Sequence, residues 1–533
     1  MSSAAASSSA ISPATVPAAL WKPRANPWLI AMAVMLGTFM EVLDTSVANV
    51  ALPHIAGSLA ISTDDATWVL TSYLIANAVV LTAAGWLGRR FGRRRFLLTC
   101  ILIFVVASLG CGMAPNFAFL LGSLVVQGIG GGALQPSAQA ILLESFPPQK
   151  RGQAIAVYTL GVVCAPVLGP TLGGWITDSY SWRWIFFVNI PVGLLAFLLI
   201  QAFVEDPPYI RNAVKTKLDV VGLALLATWI FSLQIVLDRG QESDWLGAVW
   251  IRWLSGAALL GFLAFVAWEL TAAEPLVDLR ALKNRNLAAG TAIVFVLGIV
   301  LYATVALLPL FLQTLMGYPA LQSGLTVSPR GIGSVLGVII VSRLVNIIDN
   351  RIMMLLALIV LAYSSYILGN IDLQIGPSDV TWGIIINGFG ISMMFIALTA
   401  VTFATLKNEQ LGNATSIFNL MRNVGGAVGI SITTTLLVRV SDARQDLLSE
   451  HFSPTDEAFR SQQMSLQNYM AVHTNLGAAH GKALQLIYNT LTDQTQLWAF
   501  VDDFRLLGVL CVACIPLLLL LEKPKKSSHI SEI

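Results

Sequence analysis

Fourteen apolar stretches of 19 to 28 residues follow one another along the chain, at 28–52, 67–87, 96–114, 118–145, 153–177, 184–204, 218–237, 249–271, 287–313, 322–342, 352–371, 380–404, 413–438 and 503–521. About 20 apolar residues in a helix cross the hydrocarbon core of a bilayer, so the pattern predicts an all-α integral membrane protein with fourteen spans. Only 11% of the residues are charged, against roughly 25% in a soluble domain, which sets soluble enzymes aside. With 31 Lys and Arg against 29 Asp and Glu, no net field is available for nucleic acid. Cys100, Cys111, Cys164, Cys511 and Cys514 all fall in apolar runs and read as small hydrophobes, Cys511-x-x-Cys514 included. The five histidines show no metal-ligand spacing, and neither a nucleophile nor a metal constellation marks an enzyme.

The cations set the expected orientation. With the N-terminus inside, the cytoplasmic segments hold 21 of the 31: Lys22, Arg24, the five arginines Arg89, Arg90, Arg93, Arg94 and Arg95, Lys150, Arg151, Arg211, Lys215, Lys217, Arg280, Lys283, Arg285, Arg343, Arg351, Lys407, Lys523, Lys525 and Lys526. The short loops opposite hold only Arg183, Arg239 and Arg252, which by the positive-inside rule places both termini in the cytoplasm. Residues 1–27 open with an uncharged stretch rich in Ala, Ser and Pro, expected to be a disordered leader lacking the basic start of a signal peptide. Residues 523–533 form a cytoplasmic tail, and 439–502 form one long periplasmic loop whose Leu447, Phe452, Phe459, Leu466, Leu484 and Ile487 are spaced for short amphipathic helices.

The chain repeats itself. Val126-Gln127-Gly128-Ile129-Gly130 recurs 260 residues later as Ile386-Asn387-Gly388-Phe389-Gly390, and Gly152-Gln153-Ala154, Leu160 and Gly169 fall over Gly412-Asn413-Ala414, Leu420 and Gly429 at the same offset. A parallel duplication accounts for this, with six-helix bundles over 28–204 and 287–522 and two inserted helices within 205–286.

Two motifs suggest moving parts. After the second span, Gly85, Gly88 and Gly92 alternate with Arg89, Arg90 and Arg93; small residues let helices meet closely and arginines pair across a gate, although a positive-inside anchor would carry the same charges. The fifth span carries Gly161, Pro166, Gly169, Pro170, Gly173 and Gly174. Prolines kink a helix and glycines four apart flatten a face, which suits either a helix sealed against the other half or a kink without gating.

Together with Leu43-Asp44-Thr45-x-x-x-Asn49-Val50-Ala51-Leu52-Pro53, Trp182-Arg183-Trp184-Ile185-Phe186, Asn189-x-Pro191-x-Gly193 and Leu237-Asp238-Arg239-Gly240, these motifs resemble the fourteen-span drug:proton antiporter branch of the major facilitator superfamily, the EmrB-like multidrug exporters. That resemblance implies two bundles around a central cavity, alternating access, and export of small amphipathic compounds against proton entry. It also implies an inner-membrane location, no cofactor beyond the proton gradient, and docking of the 439–502 loop on a periplasmic adaptor leading to an outer-membrane channel. Two positions depart from the pattern: Arg89 stands where the loop usually has an acid, and Leu124 where the fourth helix usually has an arginine. The second speaks against a proton relay through an arginine of that span.

Charge in the hydrocarbon costs at least about 2.5–3.5 kcal/mol per residue on insertion scales, so each instance is a candidate site. Asp44 lies deep in the first span with Glu41 one turn away on the same face, an arrangement suited to carrying protons. Arg422 and Arg330 lie within spans of the second half and would pair with an acid across the bundles or stay statically paired. Gln127, Gln135, Gln139, Gln313 and Asn387 are candidates for a substrate cavity, or for plain helix-to-helix hydrogen bonds. An exporter dedicated to one metabolite or siderophore, and a non-transporting membrane sensor, remain as alternatives.

Overall fold

The structure is a computed structural model that describes residues 23–147, 150–207, 210, 219–345, 347–449, 457–473 and 476–522. Most of the leader, the tail from Lys523, and Arg211, Lys215 and Lys217 lie outside the described residues. Fourteen helices are long and apolar enough to cross a membrane: α1 Pro27–Leu59, α2 Trp68–Phe91, α3 Arg93–Gly112, α4 Phe117–Ser145, α5 Arg151–Ser179, α6 Trp184–Phe203, α7 Val220–Arg239, α8 Val249–Thr271, α9 Arg285–Leu315, α10 Gln322–Leu344, α11 Asn350–Leu368, α12 Val380–Phe403, α13 Asn408–Ser449 and α14 Ala478–Leu520. The described chain is otherwise turns and short helices, and the protein is a multi-span membrane protein.

Polar residues at the ends of the apolar runs fix where helices begin. Asn26 accepts from the Trp28 N–H, with Pro27 opening the first turn of α1; Asn116 accepts from Phe119 N–H ahead of α4, Asp219 from Gly222 N–H ahead of α7, and Asn284 from Asn286 and Leu287 N–H ahead of α9. Each cap satisfies amides that neither the helix nor lipid can. Large apolar side chains such as Leu102 and Val106 on α3 and Leu259, Leu260 and Leu263 on α8 stay exposed on the outer faces, as lipid contact allows.

The same helix pairs touch in both sets of six. α1 packs on α5 and α6, α2 on α4, and α3 on α4 and α6; correspondingly α9 packs on α13 and α14, α10 on α12, and α11 on α12 and α14. Glycines make matching close approaches at the 260-residue offset. A Cβ at Gly130 would lie 2.8 Å from the Cys100 carbonyl oxygen, and one at Gly390 would lie 3.2 Å from the Val360 side chain. The two sets meet along α2–α13, α4–α13, α5–α10 and α5–α12. The inserted α7 and α8 pack on each other, and α7 straps both sets at the face opposite the Gly85–Arg95 turn: Thr71 Oγ1 of α2 donates to Asp238 at 2.6 Å, and Ser431 Oγ of α13 donates to the Leu237 carbonyl at 2.9 Å.

Two expectations need correction. α5 itself meets α10 and α12 of the other half, but its glycine face does not turn there: a Cβ at Gly161, Gly169 or Gly173 would abut Met35, Ser46 or Val47 of α1, and one at Gly174 would meet nothing within 4 Å. Pro170 has no N–H for the Pro166 carbonyl, and Ser46 Oγ donates to that carbonyl at 3.2 Å where α1 packs on this face; the equivalent α9–α13 pairing forms with no proline in α13. Contact with α10 falls instead to Val167 and Thr171. The second correction concerns the long loop. α13 runs on to Ser449 and α14 starts by Ala478, so much of 439–502 is continuous helix rather than separate short ones, with one further helix at Glu457–His473. Polar sequence ends the membrane segment without ending the helix.

Candidate functional site: a polar seam between two bundles

Where the halves meet, the seam is closed by polar contacts from the Gly85–Arg95 face inward. The Gly85 N–H donates to Ser416 Oγ at 3.0 Å, and a Cβ at Gly85 would sit 2.7 Å from the Gly412 carbonyl oxygen. Arg151 reaches Asn408 at 2.8 Å, Thr415 Oγ1 donates to the Pro136 carbonyl at 3.1 Å, and Asn419 Nδ2 donates to Gln139 Oε1 at 2.8 Å. Deeper still, Arg422 donates to Gln135 Oε1. On the opposite face Thr171 and Ser328 hydroxyls meet at 3.2 Å. A void of ≈ 10 Å³, room for about one water, lies in the seam among Gly85, Arg93, Ser137 and Ser416.

The arginine-rich turn braces one half. Gly92, at φ +86°, lets α2 break into α3, and a side chain there would strike the Asp206 carboxylate at 2.7 Å. Asp206 in turn accepts from the Arg94 N–H at 2.9 Å, while Arg93 is ion-paired with the buried Glu144 of α4. Arg89 and Arg90 occupy the last turn of α2, where a cation complements the helix dipole. Since Gly85 is the point where this braced unit touches α13, Gly85→Val is expected to hold the seam open. Overpacking of about 1–3 kcal/mol there lowers the closed-to-open ratio by about 5- to 150-fold. Normal export by a membrane-inserted Gly85→Val protein would show that α2 and α13 need not meet.

Glu41 and Asp44 both lie on α1, 4% and 5% exposed, yet they serve different partners. Glu41 accepts from Asn77 Nδ2 at 3.1 Å and from Gln135 Nε2 at 2.6 Å. Because Gln135 also accepts from Arg422, one amide joins a carboxylate of the first half to a guanidinium of the second. Asp44 faces its own bundle, accepting from Asn189 Nδ2 of α6; the same amide lies 3.4 Å from Ser108 Oγ, which accepts from Gln127 Nε2 at 2.9 Å. Gln127 is thus engaged within the first half, its Oε1 3.7 Å from Cys111 Sγ. Gln313, in a π-helical turn, reaches Ser323 at 3.5 Å. Arg330 and Asn387 are buried with unpartnered polar atoms. Sequence reading passed over Glu144, Asn77, Asn419 and the buried Tyr158; each is a polar group inside an apolar run, the signal by which all four are recognisable.

Two six-helix sets, repeated in sequence and joined by a polar seam, define a two-bundle transporter fold. The chain belongs to the Major Facilitator Superfamily, whose profile matches residues 34–430. It is 36% identical to the Fatty acid resistance protein FarB of Neisseria gonorrhoeae, over 94% of this chain and 97% of that one. It is also 36% identical to the Multidrug export protein EmrB of Escherichia coli (strain K12), over 83% and 87% of the two chains. Among solved structures, the human organic anion transporter MFSD10 (TETRAN) superposes with a TM-score of 0.58 at 14% identity, covering 91% of this chain and 99% of that one, which is a likeness of fold.

Proposed function

We propose that this chain exports amphipathic drugs or other toxic small molecules in exchange for protons, by alternating access between its two halves. The observation that carries the reading is the buried Glu41–Gln135–Arg422 connection across the seam. Opening the seam must break it, so the charge state of Glu41 bears directly on which arrangement is stable. Asp44, sealed into the first half by Asn189, is the proton-carrying group, and no cofactor is required beyond the gradient. The names of FarB and EmrB support an export role for small amphiphiles. The test is accumulation of a fluorescent amphiphile in proteoliposomes driven only by a pH gradient; absence of both substrate and proton flux would favour the sensor reading. Resistance to one compound among many unrelated ones would favour the dedicated exporter.

The cation distribution supports placing the Gly85–Arg95 face in the cytoplasm and the protein in a bacterial inner membrane. On the opposite face α13 and α14, 42 and 43 residues long, would each measure over 60 Å at about 1.5 Å per residue, twice a hydrocarbon core of about 30 Å. The parts that extend beyond the core, braced at its edge by Arg444 with Asp502 at 2.6 Å, support docking of a periplasmic adaptor that continues the path to an outer-membrane channel. Deleting residues 450–475 is expected to leave transport in liposomes intact and abolish resistance in cells. Equal loss in both assays would mean that the segment serves only its own transporter.

A further inference from the structure

One pair of buried amides related by the repeat is treated differently in the two halves. In the first, Gln127 is hydrogen-bonded to Ser108. Its counterpart at the 260-residue offset, Asn387 of α12, is 1% exposed and has no partner for either amide atom. The residue beside it, Gly388, packs against Arg330 of α10 so closely that a Cβ would come within 2.2 Å of the Arg330 carbonyl oxygen. Arg330 is itself 3% exposed, its Nε and Nη2 have no partner, and it takes part in none of the ion pairs among the described residues. Ser392, also on α12, has an unpartnered hydroxyl.

α10 is also interrupted here. One helical segment ends at Val327, Pro329 follows, and Arg330 opens the next segment, Arg330–Leu344. The break lies on the seam between halves: Thr171 of α5 meets Ser328, and a Cβ at Gly331 would lie 3.3 Å from Val167. Interrupted helices at membrane depth line the substrate sites of many transporters.

Arginine keeps its charge in any protein environment, and an unpaired charge at this depth costs several kcal/mol. A planar fork of donors matches a carboxylate, which would accept two parallel hydrogen bonds and supply the missing counter-charge. We propose that Arg330, with Asn387 beside it, is the headgroup subsite for the carboxylate of an anionic amphiphile. This rests on the export reading and names a substrate class for it.

The test uses full-length protein in nanodiscs of phosphatidylcholine, with dodecanoate and dodecyltrimethylammonium as probes in calorimetry and in liposome export. Arg330→Gln is expected to weaken dodecanoate binding at least about tenfold, the loss of one charge-assisted contact, with the cation's affinity unchanged and Arg330→Lys falling between. Unchanged dodecanoate binding, or equal loss of both probes by a folded variant, overturns the proposal. So does displacement of dodecanoate by phosphatidylglycerol added to the discs, which would make this a lipid site. Should Arg330→Gln not fold, Arg330→Lys and Asn387→Ala decide: selective weakening of dodecanoate in either supports the subsite, and no change in both overturns it. A wild-type protein that exports the cation but ignores dodecanoate overturns only this inference, whereas one that exports neither overturns the export reading.

Discussion

Asp44→Asn is expected to abolish accumulation of substrate driven by a pH gradient while leaving substrate binding within about twofold of wild type. The side chain accepts from Asn189 Nδ2 in a pocket completed by Ser108 and Gln127. An asparagine keeps both the volume and an oxygen able to accept that bond, so the fold has little to lose. What it removes is the exchangeable proton, and with it the differential affinity that ties one flux to the other. Substrate counterflow without a gradient should therefore survive and lose its pH dependence. Glu41→Gln is expected to do something else, shifting the pH optimum while gradient-driven accumulation persists, because Glu41 answers to Asn77, Gln135 and Arg422 rather than to Asn189. Continued accumulation by purified Asp44→Asn protein would remove Asp44 from the coupling step and put Glu41 in its place.

Period and length made the fourteen helices readable, because a membrane span declares itself by apolar residues alone. The ends of α13 and α14 were not readable: hydropathy marks the edge of the bilayer, and nothing in a polar stretch such as 439–449 announces that the helix goes on into water. Within the site, sequence could find charged residues but not their directions. Glu41 and Asp44 are three residues apart on α1, which places them on one side of the helix, yet one side of a central helix still faces several neighbours. Which of Asn77, Gln135 and Asn189 each acid meets depends on how α2, α4 and α6 pack around it. The glycines of α5 carry the same lesson. Their spacing predicts a close helix contact, but that the partner is α1 follows from how the six helices pack, the same pairing recurring as α9 on α13. Glu144 escaped notice because Arg93, with which it forms an ion pair, lies fifty-one positions earlier in the chain.

The seam should behave as a single coupled unit, and removing Arg422 should be the most damaging change to it. Arg422 is 1% exposed and donates to Gln135 and Asn423, with the Phe395 ring 5.9 Å from its guanidinium carbon. Glu41 lies one hydrogen bond further on, through Gln135. Breaking a buried charge pair from one side costs about 3–5 kcal/mol, because the other charge is left in the interior uncompensated. Arg422 and Glu41 are linked through Gln135 rather than in direct contact, so Arg422→Gln is expected to cost part of that, about 1–3 kcal/mol, and to abolish export. In the double variant with Glu41→Gln no stranded charge remains, so its loss should fall short of the sum of the two single losses by at least about 1 kcal/mol. Export should stay absent in that protein even as its thermal midpoint recovers, since the two halves no longer register each other's state. The thermal midpoints of the four proteins of the cycle, measured in one detergent with export assayed alongside, give the answer directly. Strictly additive losses would mean that Gln135 separates the two charges rather than joining them, and that Arg422 only fills space between α13 and α4.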